Sequence, residues 1–541
     1  MWEDDANTAE AVWDLIRGCE EHDLPLGAVM LDSPWSTAYN NFVFDEKRYP
    51  KPRELIEAWH KKGIRTVLWM TCLVNTLKDK ADAPGSEEDL YAIGKACGYF
   101  CNAGEATKWW KGRGAFIDYT NPEAVAWWHR LMDRALDLGI DGWKVDGAAE
   151  LILMTRRESS RGVVGWQEYV DLYYRDCLTY LRARRPDGVT MVRSVDVGEI
   201  GYRGRHAPFD AAPLTWVGDQ RHTWDDLGLQ EALAGVFRAM ELGYPVASSD
   251  TGGYQTDPAQ KGVMPRLLFL RWAQWNALTP FFLVGGHNEH RPWKFDAEFF
   301  WTFRRYWWLH HELVPFFYSQ AVQAHLREGN LMHAGTSTFE YQLGDALLVG
   351  VMTDERPERE VKLPAGKWLD YWDNHIQHEG GQTVRVKVPE ERSPVFVRLG
   401  AILSLNVEND VVGHGSKASK GWRTLDIYPH AGPQAVSRAV VWDTASFPPQ
   451  GERDRSIVNC QVNGKAITIN LAGGPARNTI LRIWSPQLIK GVTRDTKELT
   501  KASDRNAWER GGDGWWSDPE DQRLWVRLSE ARNFSVKVEL R

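Results

Sequence analysis

The chain has 541 residues, 43% of them hydrophobic and 26% charged, with a formal net charge of -8. That is enough apolar material for a large core and two or three domains, and it excludes a disordered chain. The acidic balance, with a pI near 6.1, leaves no basic footprint for nucleic acid or an anionic membrane surface, so neither partner is expected. The opening stretch "MWEDDANTAE" is acidic where a secretory leader needs a basic start and an apolar run. No segment reads as long and apolar enough to span a bilayer, which favours the cytoplasm unless the N-terminus is trimmed. Cys19, Cys72, Cys97, Cys101, Cys177 and Cys460 are scattered without a disulfide or Cys-x-x-Cys pattern and are expected to be free thiols.

Apolar runs of strand length alternate with helical patterns from the N-terminus onward. The strand candidates are "LGAVMLD" (26–32), "RTVLWM" (65–70), "AFIDY" (115–119), "GWKVD" (142–146), "VTMVRS" (189–194), "PLTWVGD" (213–219), "PVASSD" (245–250) and "PFFLVGGH" (280–287). Between them lie amphipathic stretches such as "PRELIEAWHKKG" and "PEAVAWWHRLMDRALDLG", each opening on Pro and closing on Gly as helix ends prefer. Eight such repeats predict an α/β fold, a closed (β/α)8 TIM barrel, with one irregular unit where "VDVGEIGYRGRHAPFDAA" lacks a helical pattern. An open doubly wound sheet is disfavoured because no Gly-x-Gly-x-x-Gly turn follows an early strand. Near residue 325 the texture changes to short alternating segments, "FEYQLGDALLVGVM", "TVRVKVP" and "SPVFVRLGAIL", and a second β-rich stretch begins near 406. The expected domains are a barrel over 1–325, a proximal β-sandwich over 326–405 and a distal one over 406–541.

In such barrels the C-terminal strand ends carry the chemistry, and here they carry Asp32, Asp118, Asp146, Arg193, Ser194, Asp219, Asp250 and His287. One isolated Asp at a strand end is most simply a helix cap or loop ligand, but so many polar ends around one rim ask for another explanation. In "GWKVDGAAE", Lys144 and Asp146 stand two residues apart on a strand, so both face the same space. The plain alternative is a buried structural ion pair. Convergent carboxylates, cations and the nearby Trp69, Trp143 and Trp216 suit a site that holds a polyhydroxylated ring and cleaves an acetal, which requires one ionised and one protonated carboxyl group. A cation beside Asp146 would favour its ionised form.

The segments "VMLDSPW", "FDEKRYPKPRELIEAWHKKGIRTVLWM", "DYTNPEAVAWWHRLM", "GWKVDGAAE", "TWVGDQRHTWDDL", "SSDTGGY", "LPAGKWLDYWDN" and "SPVFVRLGAIL" occur in collinear order over about residues 24 to 405. Together they resemble glycoside hydrolase family 31, the retaining α-glycosidases. The resemblance implies Asp146 as nucleophile and Asp219 as general acid/base. It implies sugar contacts from Asp32, Trp216, Asp250 and His287 in the first subsite, and an arginine supplied by Arg203 or Arg205, with Arg193 an alternative support. Trp69 and Lys144 join the substrate-binding set from their place at the strand ends.

The departures from the family pattern touch the sugar-reading positions. Lys144 replaces the Trp of common α-glucosidases and resembles the α-xylosidase branch. Gly285 stands two before His287 in place of Arg, and Ala149 stands three after Asp146, with Glu150 one place later. The N-terminal β-sandwich usual in the family is absent from this chain. "GGHNEH" lacks the order and helical context of a metal motif, so neither metal nor cofactor is expected. The expected activity is exo-acting, retaining α-glycoside hydrolysis of α-linked oligosaccharides or glycosides, of α-xylosidase or α-glucosidase type. α-Galactosidase or sulfoquinovosidase specificity, a lyase on the same pair and a non-catalytic carbohydrate-binding protein are the alternatives, and homo-oligomerisation is left open.

Overall fold

The computed structural model describes all residues except 3–5, 148–150, 196–203, 258–262, 336, 338, 432–435, 445–448 and 450. Two compact units emerge, one of residues 1–269 and 283–296, the other of 270–282 and 297–541.

The first unit is the barrel. Ala28–Leu31, Arg65–Met70, Gly142–Val145, Val189–Arg193, Leu214–Trp216 and Ala247–Ser248 form a parallel sheet in that spatial order. The chain continues from Ser248 into Asp250–Thr251, which pairs in parallel with Leu283–Val284. The remaining gap is closed by the first two residues: Trp2 donates its N–H to the Val284 carbonyl at 3.0 Å, and Met30 donates to the Met1 carbonyl at 3.1 Å. Helices such as Pro52–Lys61 and Pro122–Leu136 bury one stripe each, with Ile56 and Trp59, and Trp128, Leu131 and Ala135, out of solvent. Both begin with Pro in the first turn, where its missing N–H costs nothing.

One of the eight expected barrel strands is wrong, and an unexpected segment takes up the count. The "AFIDY" run lies partly in Gly112–Phe116, which pairs antiparallel with Leu73–Asn75 and Thr107–Trp109 in a small separate sheet. The strand Arg65–Met70 pairs directly with Gly142–Val145 instead. Ala115, Phe116 and Ile117 are as buried as barrel residues, and a short apolar run does not say which sheet it joins. The Met1–Trp2 segment is too short to carry a strand pattern. Because one strand is lost and one gained ahead of it, Gly142–Val145 is still the fourth of the ring.

The second unit holds the long helix Ala297–His325 and two sandwiches. In the proximal one a six-stranded sheet that begins at Met332–Ala334 packs against the pair Glu358–Lys362 and Thr383–Lys387, around Leu348, Val361, Leu363, Trp368 and Phe396. In the distal one two six-stranded sheets enclose a core that includes Leu425, Val458, Ile469, Leu481, Val526 and Val536. Its first strand is Ile402–Leu405. Alternation shows plainly in Arg455–Asn463, where Ser456, Val458 and Cys460 turn inward. All six cysteines are free, and no described helix is long and apolar enough to cross a membrane.

Candidate active site

A cavity of about 510 Å³ opens at the C-terminal ends of the barrel strands. Its lining includes Asp32, Trp69, Lys144, Asp146, Asp219 and His287, residues far apart in sequence that the strand ends bring together.

Asp146 follows the strand Gly142–Val145 and is anchored by its own N–H to the Met70 carbonyl at 2.9 Å. Trp69 Nε1 donates to its Oδ2 at 3.1 Å, and Arg193 Nη2 reaches its Oδ1 at 3.4 Å. The same Arg193 nitrogen lies 3.2 Å from Asp219 Oδ1. Arg193 is fully buried at the end of Val189–Arg193 and stacks its guanidinium 5.2 Å from the Trp216 ring centre. Since both carboxylate oxygens touch one nitrogen, their separation cannot exceed those two contacts laid end to end. That ceiling brings one oxygen of each carboxylate close enough for the short spacing, ~5–5.5 Å, of retaining pairs.

Lys144 faces the cavity with Asp146, as strand alternation requires, but its partner is Asp32, whose Oδ2 accepts from Nζ at 2.9 Å. The expectation that Lys144 is the counter-ion of Asp146 is therefore corrected: Arg193 and Trp69 occupy that place. The Lys144 ammonium is also enclosed by aromatic rings, 4.4 Å from Trp2 and 5.2 Å from Trp216. Burial alone would lower its pKa, yet Asp32 first and then Asp250, Asp219 and Asp146 outweigh it and hold the group above the ordinary lysine range. Asp32 in turn accepts from the Ser33 N–H at 2.7 Å, and its carbonyl accepts from Asn7 Nδ2 at 2.6 Å.

Asp250 is wholly buried, and neither carboxyl oxygen has a hydrogen-bond partner among the described residues. Burial pushes its pKa up to about 7, against the pull of Lys144. His287 lines the cavity at the end of the last strand, its N–H donated to the Tyr254 carbonyl at 3.1 Å. Trp216 is fully buried between the Lys144 and Arg193 cations and is not a lining residue.

Other sequence candidates go elsewhere. Arg205 pairs with Asp171 at 3.2 Å on the helix Trp166–Arg184 and does not line the cavity. Arg203, Ala149 and Glu150 lie outside the described residues. Asp118 organises a turn, accepting from Thr120 and Ser160. Trp143 packs in the core against Phe42. His290 faces the Gly253 carbonyl at 3.3 Å, and no cluster of metal-ligating groups occurs among the described residues. Residues the sequence did not single out also line the cavity: Asn7, Arg48, Trp110, Lys111 and Tyr254. Tyr254 stacks on Trp2 with ring centres 5.6 Å apart. Aromatic residues beside Gly-rich turns were the only signal for it, in "SSDTGGY".

Comparison with known proteins identifies the family. A model of the glycosyl hydrolases family 31 TIM-barrel domain matches residues 1–320, and one of the family 31 C-terminal domain matches 321–403. The chain belongs to glycoside hydrolase family 31. Among curated family 31 relatives, α-glucosidase 2 of Bacillus thermoamyloliquefaciens is 26% identical over 79% of this chain and 55% of its own length. An α-xylosidase of Emericella nidulans is 24% identical over 72% of this chain and 50% of its own. The chain thus spans about half the length of the curated relatives it matches. Among solved structures, a cycloalternan-forming enzyme of Listeria monocytogenes, in complex with a pentasaccharide substrate, superposes with a TM-score of 0.84 over 100% of this chain and 53% of its own, at 20% identity.

Proposed function

We propose that the chain is the catalytic part of a retaining, exo-acting α-glycosidase, with Asp146 as nucleophile and Asp219 as acid/base. The single observation that carries this reading is the shared arginine: one buried guanidinium nitrogen touches a carboxylate from each of two barrel strands. The mechanism requires two carboxyl groups with separate roles, one ionised and one protonated, and both stand within reach of this one arginine. Held by Trp69 and Arg193, Asp146 keeps the negative charge and attacks the anomeric carbon, while Asp219 passes its proton to the departing oxygen. In the second half-reaction Asp219 removes a proton from the water that displaces Asp146 from the anomeric carbon. The two half-reactions need opposite states of Asp219.

The substrate reading is an α-xyloside or α-glucoside. Support comes from Lys144, fixed by Asp32 among Trp2, Trp216 and Tyr254, where its remaining N–H donors can meet ring hydroxyls. The cavity volume falls within the usual range of small-ligand sites, ~300–1,000 Å³. A panel of aryl α-glycosides, with the anomer of the released sugar followed by NMR, tests the proposal. Release of the α-anomer from one or two of them supports it, and release of the β-anomer refutes the assignment of Asp146 as nucleophile.

A further inference from the structure

The distal sandwich carries a second cavity, of about 280 Å³, at the end where Arg423–Ile427 begins and the strand ending at Trp442 finishes. Its lining combines the apolar Trp422, Val441 and Trp442 with the charged Arg423, Asp443 and Arg477. Arg477 grips Asp443 through both oxygens, Nε to Oδ2 at 2.9 Å and Nη2 to Oδ1 at 2.8 Å. Arg423 has no such carboxylate. Its Nε and Nη2 share the hydroxyl of Thr479, its register partner on the adjacent strand, at 3.3 and 2.9 Å, and its Nη1 donates to Ser456 Oγ at 3.3 Å. A guanidinium has five N–H donors, so two of those on Arg423 remain unused by the described protein. Burial, with Arg477 adding to it and Asp443 opposing, pulls this arginine down to about 10.

Two guanidinium groups therefore share one carboxylate inside a half-enclosed space. The other acidic group acting on Arg477 is Glu530, which is exposed and screened by water. Among the described lining residues the two arginines face a single carboxylate, Asp443. These arginines present the fork of donors that suits oxyanions, and the cavity's volume and lining tryptophans exceed what a bare ion uses. We propose that the cavity binds a small oxyanion, a carboxylate or sulfonate, carried on a sugar-sized ring. Arg423 and Arg477 hold the oxyanion, and Trp442 with Val441 covers the ring's apolar face. The inference stands apart from the barrel reaction.

Calorimetric titration of the full chain tests it, with glucuronate and a 6-sulfonated glucose as anionic probes and glucose and acetate as controls. At least one anionic sugar binds one to one, at least tenfold tighter than glucose and than acetate, and the tighter of the two identifies the oxyanion. Arg477→Met weakens that binding tenfold or more and leaves kcat/KM on aryl glycosides unchanged, which separates this cavity from the barrel. Asp443→Asn is the sharper arm, because it removes the competing carboxylate while keeping the shape: affinity for the anionic sugar rises. Equal binding of glucose, equal binding of acetate, absence of binding, or weakened binding in a folded Asp443→Asn chain each overturns the proposal. If Arg477→Met does not fold, the Asp443→Asn result decides alone.

Discussion

Two aspartates, Asp250 in the barrel and Asp426 in the distal sandwich, are equally buried and oppositely treated. Asp426 is saturated: Arg482 Nη1 and the Tyr428 hydroxyl donate to Oδ2, each at 2.8 Å, and Arg523 Nη1 donates to Oδ1 at 3.0 Å. Burial would raise its pKa, but Arg482 and Arg523 overcome this and hold it below the ordinary carboxylate value. Asp250 has no hydrogen bond to either oxygen among the described residues, and burial carries its pKa up to about 7. Since an unsatisfied buried polar group costs ~1–3 kcal/mol, the barrel accepts a cost that the sandwich avoids. The saturated aspartate holds strands together; the unsaturated one sits in the charge field of Lys144, Asp219 and Asp32, all of which line the cavity. The difference separates framework from site without reference to family.

The largest effect expected from breaking this comparison is on turnover. Asp146→Ala should lower kcat by several powers of ten, as for other covalent catalysts, while the thermal unfolding temperature moves little. A mechanism-based fluorosugar should label the peptide containing Asp146. Comparable activity in the variant would remove Asp146 from the mechanism. Asp219→Ala should spare the first step on activated aryl glycosides and lose it on disaccharides, because only a poor leaving group needs the proton. Equal loss on both would move the acid role elsewhere.

On the framework side, Asp426→Asn leaves Arg482 and Arg523 buried beside a neutral group. Removing one partner of a buried charge cluster costs ~3–5 kcal/mol, so chemical denaturation should show that loss in the sandwich transition. Activity per folded molecule should stay unchanged. A variant as stable as the parent would show that saturation alone does not mark framework.

Much of the site was legible because strand alternation is a strict geometric rule. Lys144 and Asp146 do face one cavity, which the strand-end residues Asp32, Asp219 and His287 also line, while Asp118 does not. What alternation cannot supply is the identity of a partner from another strand, and so Lys144 was matched to the nearest carboxylate in sequence when its hydrogen bond runs to Asp32, 112 residues away. The resemblance points to Arg203 or Arg205, with Arg193 the alternative; Arg193 touches both Asp146 and Asp219, Arg205 turns away to Asp171, and Arg203 lies outside the described residues. Trp2 closes the ring with a single bridge, which no periodicity can reveal. The antiparallel placement of Gly112–Phe116 was equally hidden, since its burial is the same in either sheet.

Asp250 sharpens the comparison through pH. Its folded pKa, about 7, lies above the ordinary 3.8, so between those values the folded protein holds a proton that the unfolded chain has released. The contribution to stability is therefore fully present below about pH 4 and is lost as pH rises toward 7. Asp250→Asn should abolish that slope and make the protein more stable than the parent above pH 7, by a few kcal/mol at most, at the expense of activity. Parallel stability curves for the two proteins between pH 4 and 7 would show that Asp250 is ionised throughout.

The smallest expected effect concerns Lys144, which belongs to both sides of the comparison. Its ion pair with Asp32 is buried like the Asp426 cluster, yet the ammonium lines the cavity like a site residue. If it serves only as framework, Lys144→Met leaves Asp32 buried and unpaired, lowers stability, and depresses kcat/KM for every sugar by the same factor. If it also donates to a ring hydroxyl, its loss should cost ~1–3 kcal/mol in kcat/KM for the preferred glycoside. Sugars that lack that hydroxyl, or hold it in the other configuration, should suffer much less. The ratio of kcat/KM across epimeric and deoxy aryl glycosides, in parent and variant, therefore decides the role independently of any loss of folded protein. A ratio that changes by tenfold or more assigns Lys144 to the site. A constant ratio would place it with Arg482 and Arg523 as framework, and the reading of the sugar would then pass to Asp32 and His287.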